Sequence, residues 1–142
     1  MLKILYLQDM DPLVHMGGAQ LTDRAHILYG LRQGHDIAIS VPGGPPPAIE
    51  GVDGVVVSNG QGFPLTTFQE LAAGTVPYVF FIHDMWPICK WRLYYSQEAK
   101  CKECYLRPRW LPILQKARLL IWLSPLHREA WLYSQPELRS HP

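Results

Sequence analysis

Short apolar runs separated by stretches of helical spacing set the pattern of this 142-residue chain. Residues 3–7 are apolar after Lys3 and halt at polar Gln8 and Asp9, which predicts a short buried strand. Gly17 and Gly18 open a helical stretch in which Leu21, Ala25 and Leu28 fall on one face. Asp23 in its early turns suits the helix dipole, and Gly34 supplies the stop. Residues 35–41 alternate into a second strand, and Pro42-Gly43-Gly44-Pro45-Pro46-Pro47 is loop. A β-branched third strand covers 52–57 and ends at Ser58-Asn59-Gly60. Pro64 opens a helix that runs to Ala73 and stops at Gly74, and 76–82 form a fourth, apolar strand. Residues 83–108 have no period. A helix around 110–116, a fifth strand at 118–123 and a last helix from Pro125 to about Tyr133 complete the order.

Apolar strands alternating with helices predict an α/β, Rossmann-like domain of three layers. A central parallel sheet carries helices on both faces, joined by right-handed crossovers. One domain is expected over 1–142, with an insert at about 84–109. Ligands of such sheets bind beyond the C-terminal strand ends. Here those ends are 8–18, 41–47, 58–63, 83–89 and 124–127, and the unusual residues of the sequence collect there.

Composition narrows the class. An apolar fraction of 48% with a net charge of +1 argues against disorder, and no run approaches the ~20 apolar residues of a membrane span. Three cysteines cannot all pair within one chain, which fits a reducing cytoplasm better than a disulfide scaffold. The even charge total conceals a split: residues 1–71 carry 3 basic and 7 acidic side chains, residues 72–142 carry 10 and 5. Most of the excess lies between Lys90 and Arg118, interleaved with Trp91, Tyr94, Tyr95, Tyr105 and Trp110. Such a segment can grip an anionic partner, rest peripherally on a membrane surface, shape an acceptor site, or simply pack on the sheet.

Four constellations are candidates for chemistry. Gly17-Gly18-Ala19-Gln20, between the first strand and first helix, lets backbone and helix N–H groups approach an anion such as phosphate; it is neither a P-loop nor a dinucleotide fingerprint. Asp9 and Asp11 follow the first strand as in a phospho-acceptor pocket, but the partner Asp and Lys that pocket needs are missing, and the two read as loop-forming carboxylates. His83-Asp84 ends the fourth strand beside Trp86; the histidine can donate or act as a base, with Asp84 fixing its tautomer, or it can merely cap loop carbonyls. Cys89, Cys101 and Cys104 have the spacing of a C-x-x-C knuckle with a third thiol, candidates for a structural zinc if a fourth ligand such as His83 or His127 completes the set; the other reading is buried thiols.

Several pieces, in order, resemble the N-terminal half of a GT-B glycosyltransferase of the retaining, group 1 type. Gly17-Gly18-Ala19-Gln20 resembles that family's G-G-A-E loop, with Gln20 where Glu is commoner. Gly34-His35-Asp36-Ile37-Ala38-Ile39 resembles its G-H-E-V-x-V entry to strand two, and Phe81-Ile82-His83-Asp84-Met85-Trp86-Pro87 its H-D-x-W element. The cysteine cluster and the strand Leu120-Ile121-Trp122-Leu123-Ser124 are similar to elements found further along such chains. The resemblance implies an acceptor-side domain facing a second, donor-binding domain across a cleft. Gly17, Gly18, Gln20, Asp84 and Trp86 would then lie at the donor or substrate, and His83 would be the catalytic residue near the transferred sugar. It also implies no catalytic metal, so any zinc is structural. Glu129 and Glu137 have the spacing of the family's donor-site E-x7-E, but Pro136 between them reads as accident. The donor domain is therefore expected to be absent from these 142 residues, and efficient turnover by them alone is not expected. Two other expectations stay open beside this one: a metal-stabilised module that binds nucleic acid or another anionic partner, and a free-standing nucleotide-binding domain.

Overall fold

In the computed structural model, residues 1–83 and 110–122 are described. Strand β1 (Lys3–Gln8) leads through helix α1 (Gly18–Arg32) to β2 (Asp36–Ser40); β3 (Gly54–Asn59), helix α2 (Leu65–Ala73), β4 (Tyr78–Ile82), helix α3 (Leu111–Lys116) and β5 (Leu119–Trp122) follow. The five strands form one parallel sheet in the order β2-β1-β3-β4-β5. The α/β fold expected from the sequence is therefore the fold of the chain. The predicted last helix after Pro125 lies outside the described residues.

Strand order fixes which face each helix covers. From β1 the chain steps outward to β2, whereas from β3 it steps the other way to β4 and β5. Right-handed crossovers taken in opposite directions put α1 on one face and α2 with α3 on the other. The side chains agree. Leu5, Leu7, Val55, Val57, Tyr78, Phe80 and Ile82 alternate along β1, β3 and β4 and join Phe68 and Leu71 of α2 and Ile113 and Leu114 of α3 in a single apolar cluster. The intervening residues Tyr6, Gln8, Ser58 and Phe81 turn to α1. β1 lies inside the sheet and its last four residues are buried, while β2, at the edge, is half exposed.

Local chemistry sets the ends. Gly34 closes the turn after α1 at φ +79°, a left-handed conformation that glycine adopts without strain. Pro64 caps α2 with φ −64°, and Gly74 follows its last residue. Strand β3 runs to Asn59, two residues past the predicted end, so Ser58 and Asn59 are buried sheet residues instead of loop.

The face of α1 differs from expectation. Leu21 is 49% exposed, Leu28 is 36% exposed and Ala25 is exposed, so the stripe they form looks outward. The buried residues are Gln20, Asp23, Ile27 and Gly30, which also recur three and four apart. Gly30 explains part of the choice. A Cβ there would come within 2.7 Å of the end of the Ile37 side chain, so its absence lets α1 lie close to β2. Asp23 explains the rest, because the sheet offers it hydrogen-bond donors. Among the described residues no helix is long and apolar enough to cross a membrane.

Candidate functional site

The strand order reverses between β1 and β3, and the carboxyl ends of these two strands are where an open parallel sheet holds its ligands. The ladder is irregular at this point. Leu7 pairs with Val57 but Gln8 pairs with Asn59, which leaves Ser58 as an extra residue. A bulge at a sheet rim re-aims the side chain it carries, and the Ser58 hydroxyl meets α1.

Asp23, fully buried, is the hub. The Gln8 Nε2 amide donates to its Oδ2, and the Ser58 hydroxyl donates to the same oxygen at 2.6 Å. His83, one residue past β4, approaches from the third strand: its Nε2 lies 2.6 Å from Ser58 Oγ and 3.4 Å from Asp23 Oδ1. The His83 ring stacks on Phe81 at 6.2 Å between centroids, and Phe81 in turn touches His26 of α1 at 5.1 Å. Three strands and one helix thus converge on a single carboxylate.

The loop beside this hub holds the glycine pair. Gly17 is extended, with φ −114° and ψ 174°, and caps α1 with no side-chain hydrogen bond. The first bond of the helix runs from Leu21 N–H to the Gly17 carbonyl at 2.9 Å, so the N–H groups of Gly18, Ala19 and Gln20 precede it. The two glycines differ in purpose. A Cβ at Gly17 would collide with the Gln20 amide oxygen, whereas one at Gly18 would meet nothing within 4 Å. Glycine at 17 therefore lets Gln20 fold back, where its Nε2 donates to Asp9 Oδ1 at 3.2 Å. Asp11 accepts from the Leu13 N–H at 2.8 Å and shapes the same loop, as loop-forming carboxylates do.

Two buried acceptors in this region have no hydrogen-bond partner among the described residues: Gln8 Oε1 and Asn59 Oδ1. A buried oxygen left unmatched is unfavourable by roughly 1–3 kcal/mol, and both lie on the two strand ends that flank the reversal point. Hydroxyl or amine hydrogens are what such atoms accept.

Electrostatics follows from burial. The Tyr6 phenol is pushed up to about 12, first by burial and then by the negative charge of Asp23. Tyr78 is also raised to about 12, by burial alone, and its hydroxyl donates to the Ile113 carbonyl at 2.5 Å. Unfolded tyrosine ionises near 10. The folded state therefore retains these protons between 10 and 12, and the stability contributed by the neutral phenols, fully present below pH 10, is lost as pH rises through 12. An alkaline absorbance titration of the folded chain is expected to show at least two phenols ionising near 12. Tyr6→Phe and Tyr78→Phe should each remove one; a titration complete by pH 11 would contradict the burial of both.

Of the residues singled out in the sequence, Gly17, Gly18, Gln20 and His83 come together at this rim. Asp84, Trp86, Cys89, Cys101 and Cys104 lie outside the described residues, as do the basic and aromatic side chains between Lys90 and Arg109. Among the described residues no cluster of three or more His, Cys, Asp or Glu side chains could hold a metal ion. The sequence reading missed Gln8, Asp23 and Ser58 as site residues. One signal was available: Gln20, Asp23, Ile27 and Gly30 form a second helical stripe, and its polar members coincide with polar residues at two strand ends. A separate cavity of about 690 Å³, lined by Ile49, Glu50, Glu70 and Val76 among others, opens at the opposite end of the sheet, where β3 and β4 begin. Comparison with protein-family models, with curated proteins and with solved structures returns no match for this chain.

Proposed function

We propose that the chain is the acceptor-side domain of a GT-B glycosyltransferase, which acts when a donor domain completes the cleft. The observation that supports the reading is convergence. The Gly17-Gly18 loop and His83 are separate pieces of the resemblance: the first follows β1 and opens α1, and the second follows β4 and reaches Ser58 at the end of β3 and Asp23 of α1, beside the point where the strand order reverses. A helix amino end favours the phosphates of a nucleotide-sugar. The open space at Gly18 leaves room for them. The acceptor oxygens of Gln8 and Asn59 suit sugar hydroxyls.

In the reaction so assigned, an acceptor hydroxyl oxygen bonds to the anomeric carbon of the donor sugar. The bond from that carbon to the nucleoside diphosphate breaks, and the hydroxyl proton passes to a base. His83 stands at the rim to contact the sugar, and no metal takes part in transfer on this reading. The basic and aromatic residues between Lys90 and Trp110 would shape the acceptor side.

The expected result is saturable binding without efficient turnover by residues 1–142. Uridine, guanosine and adenosine diphosphate sugars should be titrated in turn into the ¹⁵N-labelled chain. One of them is expected to shift the amides of Gly18, Ala19 and Gln20 and the ring of His83, while Ile49, Glu50 and Val76 at the far cavity stay fixed. Failure of all three to move the rim would remove the reading, robust transfer by the chain alone would refute its dependence on a second domain, and equal shifts with the plain nucleoside diphosphates would favour a free-standing nucleotide-binding domain instead. Binding of nucleic acid that falls steeply with salt would favour the anion-binding module instead.

A further inference from the structure

We propose that Asp23 is a positioning residue for His83. Together with Ser58 it holds the imidazole proton on Nε2 and leaves Nδ1 as the lone-pair nitrogen presented to a ligand hydroxyl. That the hydroxyl belongs to a sugar rests on the glycosyl-transfer reading above; the tautomer does not.

The argument is one of proton accounting. Ser58 has a single hydroxyl proton, and its Oγ lies 2.6 Å from Asp23 Oδ2 and 2.6 Å from His83 Nε2. A carboxylate only accepts, so the serine proton goes to Asp23 and the serine oxygen must receive the proton of His83. Nε2 also faces Asp23 Oδ1 at 3.4 Å, a second acceptor on the same side of the ring. With both contacts made through Nε2, the neutral ring has its lone pair on Nδ1. The ring plane is set as well, because His83 stacks on Phe81 with 18° between planes and Phe81 rests on His26. Among the described residues the other polar neighbours do not compete for Nε2: Gln8 gives its amide to Asp23, Tyr6 keeps its proton up to about 12, and His26 of α1 packs its ring on Phe81. A histidine held in one tautomer and one plane by a buried carboxylate is preorganised to accept a hydrogen bond rather than to donate one. Charge and burial here also differ from an N-terminal dipole role for Asp23, since α1 has no acidic residue in its first turn.

The test is imidazole ¹H–¹⁵N correlation spectroscopy on the whole 142-residue chain, with His83 assigned by the signals lost in His83→Gln. At mildly alkaline pH the wild-type ring is expected to carry its proton on Nε2, shifted downfield and slow to exchange. Asp23→Ala is expected to expose that proton and raise its exchange at least tenfold. Ser58→Ala, which leaves the carboxylate in place, gives a second reading should the first variant fail to fold, and the same rise is expected. A wild-type proton on Nδ1, or Nε2 exchange unchanged in the folded variants, would overturn the proposal. A protected Nε2 proton in a chain that binds no nucleotide-sugar would keep the positioning role and remove the glycosyl-transfer reading. Binding together with an Nδ1 proton would do the reverse.

Discussion

Phe68→Ala is expected to lower the stability of the chain by about 3–5 kcal/mol, the range for removing a buried aromatic ring. Phe68 is fully buried on α2 and touches three aromatic rings: Trp110 at 4.8 Å, Phe63 at 6.3 Å and Phe80 at 6.4 Å between centroids. It is therefore the side chain through which α2, β4 and the residue leading into α3 share one core. A domain of this size has a total stability of roughly 5–15 kcal/mol, so the loss is a large fraction of the whole. Urea unfolding followed by fluorescence measures it as a fall in the transition midpoint at constant slope. Leu21→Ala is the companion measurement. Leu21 lies on the outward face of α1, and its truncation should change stability by no more than about 0.5 kcal/mol. A large loss at Leu21 with a small one at Phe68 would mean that the sheet is covered differently on both faces.

Asp23→Ala is expected to be destabilising by about 2–4 kcal/mol, although no apolar contact of consequence is removed. The loss comes from what remains: the Gln8 amide, the Ser58 hydroxyl and the His83 Nε2 are then left facing a small cavity without their common acceptor. A double variant, Asp23→Leu with Ser58→Ala, replaces two of the four polar groups by apolar ones and should recover part of the loss, because it fills the cavity and leaves one fewer buried donor unmatched. Chemical denaturation of the single and double variants decides the point. A single variant as stable as wild type would mean that the carboxylate is not the hub of the cluster. A double variant more stable than wild type would mark the polar set as retained at the expense of stability.

How much of this was legible in the sequence varies with the range of the interaction. The strands were legible because a buried parallel strand must be apolar along its length, and 76–82 has that character whatever surrounds it. The helix ends were legible because Gly34, Pro64 and Gly74 restrict or release the backbone locally. Gly17, Gly18 and His83 stood out as candidate site residues because they sit at strand ends, and the strands were already placed. Asp23 did not stand out. Its sequence context, an acidic residue early in a helix, has a sufficient local explanation, and the stripe of Leu21, Ala25 and Leu28 offered a more apolar inward face than the one the protein uses.

What the sequence by itself determined is the order of the elements and, through handedness, a parallel sheet with helices on both faces; that its strand order reverses between β1 and β3 came from the tertiary structure. Backbone geometry and hydrophobic period suffice for the former, since both act over a few residues. Only the tertiary structure decided which face of α1 turns inward and that Gln8, Ser58 and His83 meet on Asp23, at separations of 15, 35 and 60 residues along the chain. The physical reason is that a helix face is chosen by what the sheet offers it. Here three strand ends offered hydrogen-bond donors to one carboxylate, and a glycine allowed the approach, a balance that no window of local sequence contains.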